Sequence, residues 1–236
     1  MKNYKNIKNR VIKIVILGDC FVGKTSILDR YINSKFSNTY KATLGLNFLT
    51  QDIFINNKHY IINLWDTAGS ERFRSVNTIF YRGADACILV FDRTNYQTFS
   101  NISFWYDEFL INTTPRKPDE FPFILIGNKA DLMDNYELIN QENKKRESIN
   151  SNYDDYPSYN LTYYKGIVKD KMVTNFCKDK NMKYFSVSAK DNDNIKETID
   201  YIINLAIQRV DELDIDDEFN KVSITDTTTI NKCYCF

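Results

Sequence analysis

Histidine is almost absent from this chain: His59 is the only one in 236 residues. That scarcity excludes histidine-rich zinc sites and argues against a triad built on a histidine base. His59 falls in Asn56-Asn57-Lys58-His59, a hairpin-turn signal, where a solvated side chain is expected. No apolar run approaches the roughly 18 residues that a membrane span needs. Met1-Lys2-Asn3-Tyr4-Lys5 lacks an apolar signal region, so a cytosolic setting is expected and membrane contact would require a lipid. The five cysteines, Cys20, Cys87, Cys177, Cys233 and Cys235, have neither metal-ligand spacing nor the pattern of a disulfide framework. Excess charge is missing too. Lys plus Arg and Asp plus Glu both number 31, so no global field favours nucleic acid. What remains is ample core material, 43% hydrophobic with 16 Phe and 16 Tyr, in a length that favours one domain.

Strand and helix patterns alternate along it. Val11–Leu17, Ala86–Phe91 and Phe123–Ile126 are short apolar runs suited to strands buried on both faces. Tyr184–Val187 is a shorter candidate. Leu46–Ile55 and Tyr60–Trp65 flank Asn56-Asn57 and predict an antiparallel hairpin. Ile27, Leu28, Tyr31 and Ile32 fit one helix face. Phe99, Ile102, Trp105, Phe109 and Leu110 make a second helical stripe, and Ile195, Ile199, Ile203, Ala206 and Val210 a third. The alternation predicts an α/β domain whose mostly parallel sheet carries helices on both faces and binds ligands at the strands' carboxyl ends. Two segments break the pattern. Asn135–Lys165 is rich in Asn and Tyr and reads as an inserted surface loop, or alternatively as an interaction hairpin using its tyrosines. From Asp214 onward the periodicity fades, and the acidic, Thr-rich remainder reads as a flexible tail. The expected organisation is a flexible N-terminus (1–9), a domain over 10–213 that includes the insertion at about 135–165, and a tail over 214–236.

Between the first strand and the first helix stands Gly18-Asp19-Cys20-Phe21-Val22-Gly23-Lys24-Thr25. This is G-x-x-x-x-G-K-[ST] in the strand-to-helix context that a phosphate-binding loop requires. The glycines let the backbone curl so that successive N–H groups converge on phosphate oxygens. The helix N-terminus adds its positive end. Lys24 is placed to reach the β- and γ-phosphates, and the Thr25 hydroxyl to ligate Mg²⁺. The competing reading is an ordinary glycine-containing turn.

A phosphate loop alone serves kinases, ATPases and GTPases. Asn128-Lys129-Ala130-Asp131, just after a predicted strand, separates them. The Asp131 carboxylate can accept hydrogen bonds from guanine N1–H and its 2-amino group. Adenine offers neither donor and would leave the carboxylate unpaired. Ser188-Ala189-Lys190 is placed to give a backbone N–H to guanine O6. Asp66-Thr67-Ala68-Gly69 ends another strand. There Asp66 would hold Mg²⁺ through water, and the unobstructed Gly69 N–H would meet the γ-phosphate. Thr43 would supply the second hydroxyl to the metal, and Phe36 would cover an edge of the base. Loops that touch the γ-phosphate only while it is present form a natural order–disorder switch.

With these motifs the chain resembles a Ras-like small GTPase of the Rab family over about Val11–Val210, insertion excluded. Lys35-Phe36-Ser37-Asn38-Thr39-Tyr40-Lys41-Ala42-Thr43, Phe48-Leu49-Thr50, Phe80-Tyr81-Arg82-Gly83-Ala84-Asp85, Asp107-Glu108-Phe109-Leu110-Ile111 and Phe121-Pro122-Phe123 resemble the late-endosomal, lysosome-directed subgroup. The resemblance implies a P-loop fold with a six-stranded sheet and one antiparallel edge hairpin. It implies GTP or GDP with Mg²⁺, and Ser26 and Tyr40 as further nucleotide contacts. It implies catalytic roles for Lys24, Thr43, Gly69 and the residue at position 70. It also implies a monomer that works with exchange factors, activating proteins, a prenyl-binding carrier and effectors on endosomal membranes. Phe48, Trp65 and Phe80 correspond to an exposed effector triad; the alternative is that these aromatics are simply core.

The chain departs from the family at three places. Where the family carries a Gln that orients the attacking water, this sequence has Ser70, too short to occupy the same place; slow intrinsic hydrolysis is expected. Cys20 and Phe21 are an uncommon pair in a phosphate loop, and Cys20 is placed to crowd the γ-phosphate. The end, Cys233-Tyr234-Cys235-Phe236, resembles a paired-cysteine prenylation site with one trailing residue, and it also satisfies C-a-a-X with Phe last.

Overall fold

The structure, a computed structural model, describes residues 10–37, 43, 46–69, 78–133 and 166–229, with side chains described as far as 215. Six strands form one sheet: β1 (Arg10–Leu17), β2 (Leu46–Ile55), β3 (Lys58–Thr67), β4 (Ala86–Asp92), β5 (Phe123–Asn128) and β6 (Lys183–Ser186). Their order is β2-β3-β1-β4-β5-β6. Only β2 runs antiparallel to its neighbour, pairing with β3 without a register break from Leu46↔Thr67 to Ile55↔Lys58. Asn56 and Asn57 close that hairpin at φ 51° and 61°, left-handed conformations that asparagine tolerates and that match the strand twist. All other pairings are parallel, as the apolar runs predict.

The period of two divides β1 between two cores. Ile12, Ile14 and Ile16 face α1 (Lys24–Asn33) and α5 (Ile195–Thr229), packing with Ile27, Leu28, Ile199, Ile203 and Ala206. Val15 and Leu17 face the other side, where α2 (Tyr96–Ser100), α3 (Ile102–Thr113) and α4 (Asp170–Asp179) bring Phe99, Trp105, Phe109, Val173 and Cys177. Every residue of β4 and β5 is buried. Two such faces place all parallel strands with their carboxyl ends on one rim, which is where every motif lies.

Four local expectations are revised. The stripe from Phe99 to Leu110 is two helices, α2 and α3, that meet at Asn101. The apolar spacing continues across the join, so periodicity alone does not reveal it. The last short strand is Lys183–Ser186, shifted by one residue from the expected Tyr184–Val187. His59 lies within β3, stacks on Phe54 at 4.5 Å and pairs with Asp52 at 2.7 Å, so it is not a freely solvated turn histidine. Finally, the backbone is helical from Ile195 to Thr229, through most of the segment expected to be a flexible tail. Residues 214–229 contain no Pro or Gly, and extending a helix already nucleated and packed costs little per residue. Asp211 and Asp214 also tie this helix to Arg10 of β1, and Asp211 pairs with Lys58 of the hairpin at 2.6 Å. Residues 1–9, the insertion at 135–165 and residues 230–236 lie outside the described residues.

Candidate functional site

The phosphate loop leaves β1 at Gly18, whose φ of 143° and close approach to Val90 explain the glycine. A Cβ there would sit 2.1 Å from the Val90 carbonyl oxygen. Phe21 and Gly23 take φ 66° and 96°, so the backbone curls before entering α1. Phe21 is 64% exposed while Val22 is core, so Val22 offers a ligand only its backbone. Cys20 is partly exposed, and Ser26 sits in the first turn of α1. Lys24 is buried, and its Nζ donates to the Gly18 and Asp19 carbonyls at 2.8 Å each. Burial pulls its pKa down to about 8, against the opposing pull of Asp66, Cys20 and Asp19. A buried ammonium whose hydrogen bonds among the described residues go to neutral carbonyls is suited to an incoming anion.

Thr25, Thr43 and Asp66 come from three separate segments and meet beside that lysine. Thr25 Oγ1 donates to Asp66 Oδ2 at 2.6 Å and lies 2.8 Å from Thr43 Oγ1. Asp66 is almost fully buried, and its Oδ1 has no hydrogen-bond partner among the described residues. Burial raises its pKa, and the Thr25 hydroxyl and Lys24 only partly offset this. Two hydroxyls and an under-compensated carboxylate, all hard oxygen donors, fit Mg²⁺. Gly69 completes this corner: a Cβ there would lie 2.5 Å from both the Asp19 carbonyl carbon and Lys24 Nζ. That crowding leaves room only for the bare backbone.

At the other end, Asn128 ties three motifs together. Its Nδ2 donates to the Val22 carbonyl at 2.8 Å, and its Oδ1 accepts from Ala189 N–H at 3.1 Å. Asp131 accepts from the Ser188 hydroxyl at 2.8 Å and has Lys190 Nζ at 3.6 Å. Lys129, at φ 66°, pairs with Asp92 Oδ2 at 2.6 Å. Phe36 packs against the core edge, with the Arg30 guanidinium 5.6 Å from its ring. A concavity of about 660 Å³ adjoins Asp131 and Ser188 and is walled by Arg93, Ala130, Met133 and Val168.

Phe48, Trp65 and Phe80 are contiguous. Ring centroids are 6.1 Å apart for Phe48–Trp65 and 5.8 Å for Trp65–Phe80. Phe48 is 60% exposed, while Trp65 is half-buried against the second core with Lys13 Nζ 4.0 Å above its ring. The set is therefore part surface and part core margin.

The structure thus gathers the residues expected from the motifs, except Tyr40, Ser70, Cys233 and Cys235, which lie outside the described residues. Three supports escaped sequence reasoning. Asp19 is braced from α3, its carboxylate accepting from Trp105 Nε1 and Asn101 Nδ2 at 2.7 Å each. Asp92 holds Lys129. Arg30 reaches the 189–190 segment from α1. Each is a contact between residues far apart in sequence, and no local pattern signals it.

The Ras family profile matches residues 13–208. The chain is 37% identical over 230 residues to the Ypt/Rab-type GTPase ypt7 of Schizosaccharomyces pombe, covering 97% of this chain and 98% of that protein. It is 36% identical over 230 residues to the Ypt/Rab-type GTPase avaA of Emericella nidulans, with the same coverage. To the Ras-related protein Rab-7a of Dictyostelium discoideum it is 40% identical over 207 residues, 87% of each chain.

Proposed function

We propose a switch function from one premise: the chain belongs to the Ras family and, within it, to the Rab-type GTPases of the late-endosomal and vacuolar subgroup, which hydrolyse GTP to GDP. Such GTPases bind guanine nucleotide with Mg²⁺ and work with exchange factors, activating proteins and effectors. For this chain, GTP binding presents an effector surface that regulates vesicular traffic at late-endosomal or vacuolar membranes. The observation that carries the reading is the meeting of Thr25, Thr43 and Asp66 beside buried Lys24. Thr43 comes from the connection between α1 and β2, so the same hydroxyl that reaches the metal corner reports the γ-phosphate to the neighbouring β2 surface.

In the proposed mechanism Lys24 leaves the Gly18 and Asp19 carbonyls and pairs with the β- and γ-phosphates. The Gly69 N–H donates to the γ-phosphate. Asp131 reads N1–H and the 2-amino group, and a backbone N–H of the 188–190 segment reads O6. The hydroxyls of Thr25 and Thr43, with Asp66 acting through water, would hold Mg²⁺, which neutralises charge on the β- and γ-phosphate oxygens. Loss of the γ-phosphate removes what holds Thr43 and Gly69, and the effector surface around Phe48, Trp65 and Phe80 changes with them. Cys233 and Cys235 are the proposed prenyl acceptors, and a prenyl-binding carrier extracts the monomer. Among the described residues no helix is long and apolar enough to cross a membrane, so lipid is the proposed means of attachment.

Ser70 favours a second reading, a hydrolysis-poor scaffold that stays loaded with GTP until an activating protein supplies the missing group. Single-turnover hydrolysis decides between them. Ser70→Gln is expected to raise the intrinsic rate about tenfold or more, the scale of a lost water-positioning group. Equal rates for wild type and Ser70→Gln would remove Ser70 from the account and leave the ordinary switch.

A further inference from the structure

We infer that Arg30 is a positioning residue for guanine recognition, one that binds the base-reading segment to the start of the Thr43-bearing connection. Its guanidinium bridges two regions some 159 residues apart. Nε–H donates to the Ala189 carbonyl at 2.9 Å and an Nη2–H to the Lys190 carbonyl at 2.7 Å. The remaining arm, Nη1, donates to the Ser34 carbonyl at 3.0 Å. Its Cζ lies 5.6 Å from the Phe36 ring centroid. Ser34 is the left-handed residue that ends α1, at φ 53°, and the chain runs from it through Phe36 toward Thr43.

The physical consequence follows from which atoms are held. Asn128 Oδ1 anchors the 188–190 segment by accepting the Ala189 N–H at 3.1 Å. Arg30 anchors the same segment through the two carbonyls. A peptide plane joins one residue's C=O to the next residue's N–H, so Asn128 fixes the Ser188–Ala189 plane, and Arg30, holding the Ala189 carbonyl, fixes the Ala189–Lys190 plane. The Ser188 and Ala189 N–H groups already donate to the Asp193 carbonyl at 3.2 Å and to Asn128 Oδ1, so the Lys190 N–H, whose plane Arg30 holds, is the one assigned to O6. Asp131, the reader of the 2-amino group, stands on a turn held without Arg30: the Ala130 N–H donates to the Val187 carbonyl at 3.0 Å, and Ser188, whose hydroxyl Asp131 accepts, is itself paired with Asp193 through its N–H at 3.2 Å and its carbonyl at 3.0 Å. A planar fork with three engaged arms does this; an ammonium, being a point donor, cannot span all three carbonyls. The inference rests on the guanine reading of the site, and it divides recognition into two separable halves: O6 through Arg30, and the 2-amino group without it.

The test measures dissociation constants of GDP, 6-thio-GDP and inosine diphosphate by competition against fluorescent GDP. 6-Thio-GDP replaces O6 by a weaker sulfur acceptor and keeps both donors read by Asp131. Inosine diphosphate keeps O6 and lacks the 2-amino group. Wild type prefers GDP to both analogues. In Arg30→Ala, GDP binding weakens about tenfold and the preference for GDP over 6-thio-GDP shrinks by a similar factor, the scale of one lost hydrogen bond. The preference over inosine diphosphate is unchanged. Arg30→Lys, which keeps the charge and the aliphatic stem, loses the same 6-thio discrimination; where Arg30→Ala does not fold, this variant decides alone. An undiminished GDP over 6-thio-GDP ratio in a folded variant overturns the role of Arg30, as does an equal loss of both preferences, which would mark general loosening. A wild type that shows neither preference overturns the guanine reading itself, and this inference with it.

Discussion

The two ends of the candidate nucleotide site are built differently. At the base end, polar groups already have protein partners: Asn128 with Val22 and Ala189, Asp131 with Ser188 and Lys190, Lys129 with Asp92. At the phosphate end, Lys24 rests on backbone carbonyls and Asp66 Oδ1 has no partner among the described residues. The first arrangement is preorganised, and a base that fits it needs little rearrangement of the protein. The second improves only when an anion and a cation arrive. A switch needs both kinds. On the proposed reading the base end keeps the nucleotide through the cycle, and the phosphate end changes when the γ-phosphate leaves.

The largest expected effect breaks the preorganised end. Asp131→Ala removes the acceptor of two hydrogen bonds to a charged group and lowers GDP affinity by about a thousandfold or more. Calorimetry reads this directly, and an unchanged affinity would dissolve the distinction between the ends. Next in size is removal of the metal. Chelation of Mg²⁺ is expected to speed release of fluorescent GDP from wild type by on the order of tenfold or more, and to have little further effect on Asp66→Asn, whose metal corner is already uncharged. Chelator-sensitive release from Asp66→Asn would move the metal elsewhere. The smallest effect is chemical reactivity. Burial pushes the Cys177 thiol up to about 11 and raises Cys87 as well, whereas Cys20 is partly exposed at the phosphate end. At pH 8 the thiolate fraction of Cys177 is about one in a thousand and climbs about tenfold per pH unit until near 11. Peptide mass analysis after alkylation of the nucleotide-free protein should find Cys20 modified well before Cys87 and Cys177, with GDP slowing Cys20 alone. GDP protection of all three would indicate global tightening instead of a local phosphate end.

Much of this architecture was legible because it is written locally. Ala86–Phe91 and Phe123–Ile126 are too short for ordinary helices and too apolar for any place but the middle of a sheet. Asn56-Asn57 announces its own turn. The eight residues from Gly18 to Thr25 carry both the glycines and the cation of a phosphate site. Illegibility begins where a competing term is distant. Asn101 divides α2 from α3 inside an unbroken apolar stripe, and its side chain is spent on Asp19, 82 residues away. His59 looked solvated because a turn sequence does not show that Asp52 lies across the hairpin. The helical run beyond Asp214 looked structureless because its own periodicity fades, although a packed helix upstream can extend into it.

The sequence by itself determined the chemical class of ligand proposed for this site. Spacing within Gly18–Thr25 and within Asn128–Asp131 specifies curled amides, a lysine and a carboxylate, and these act on groups a few ångströms away. Only the tertiary structure decided which residues hold those groups still. The strand order β2-β3-β1-β4-β5-β6 brings the ends of β1, β3, β4, β5 and β6 to one rim, so Thr25 meets Asp66, Trp105 braces Asp19, and Arg30 clasps Ala189. Such pairings depend on sheet register and helix placement, which arise from burial summed over the whole chain and which no short stretch encodes.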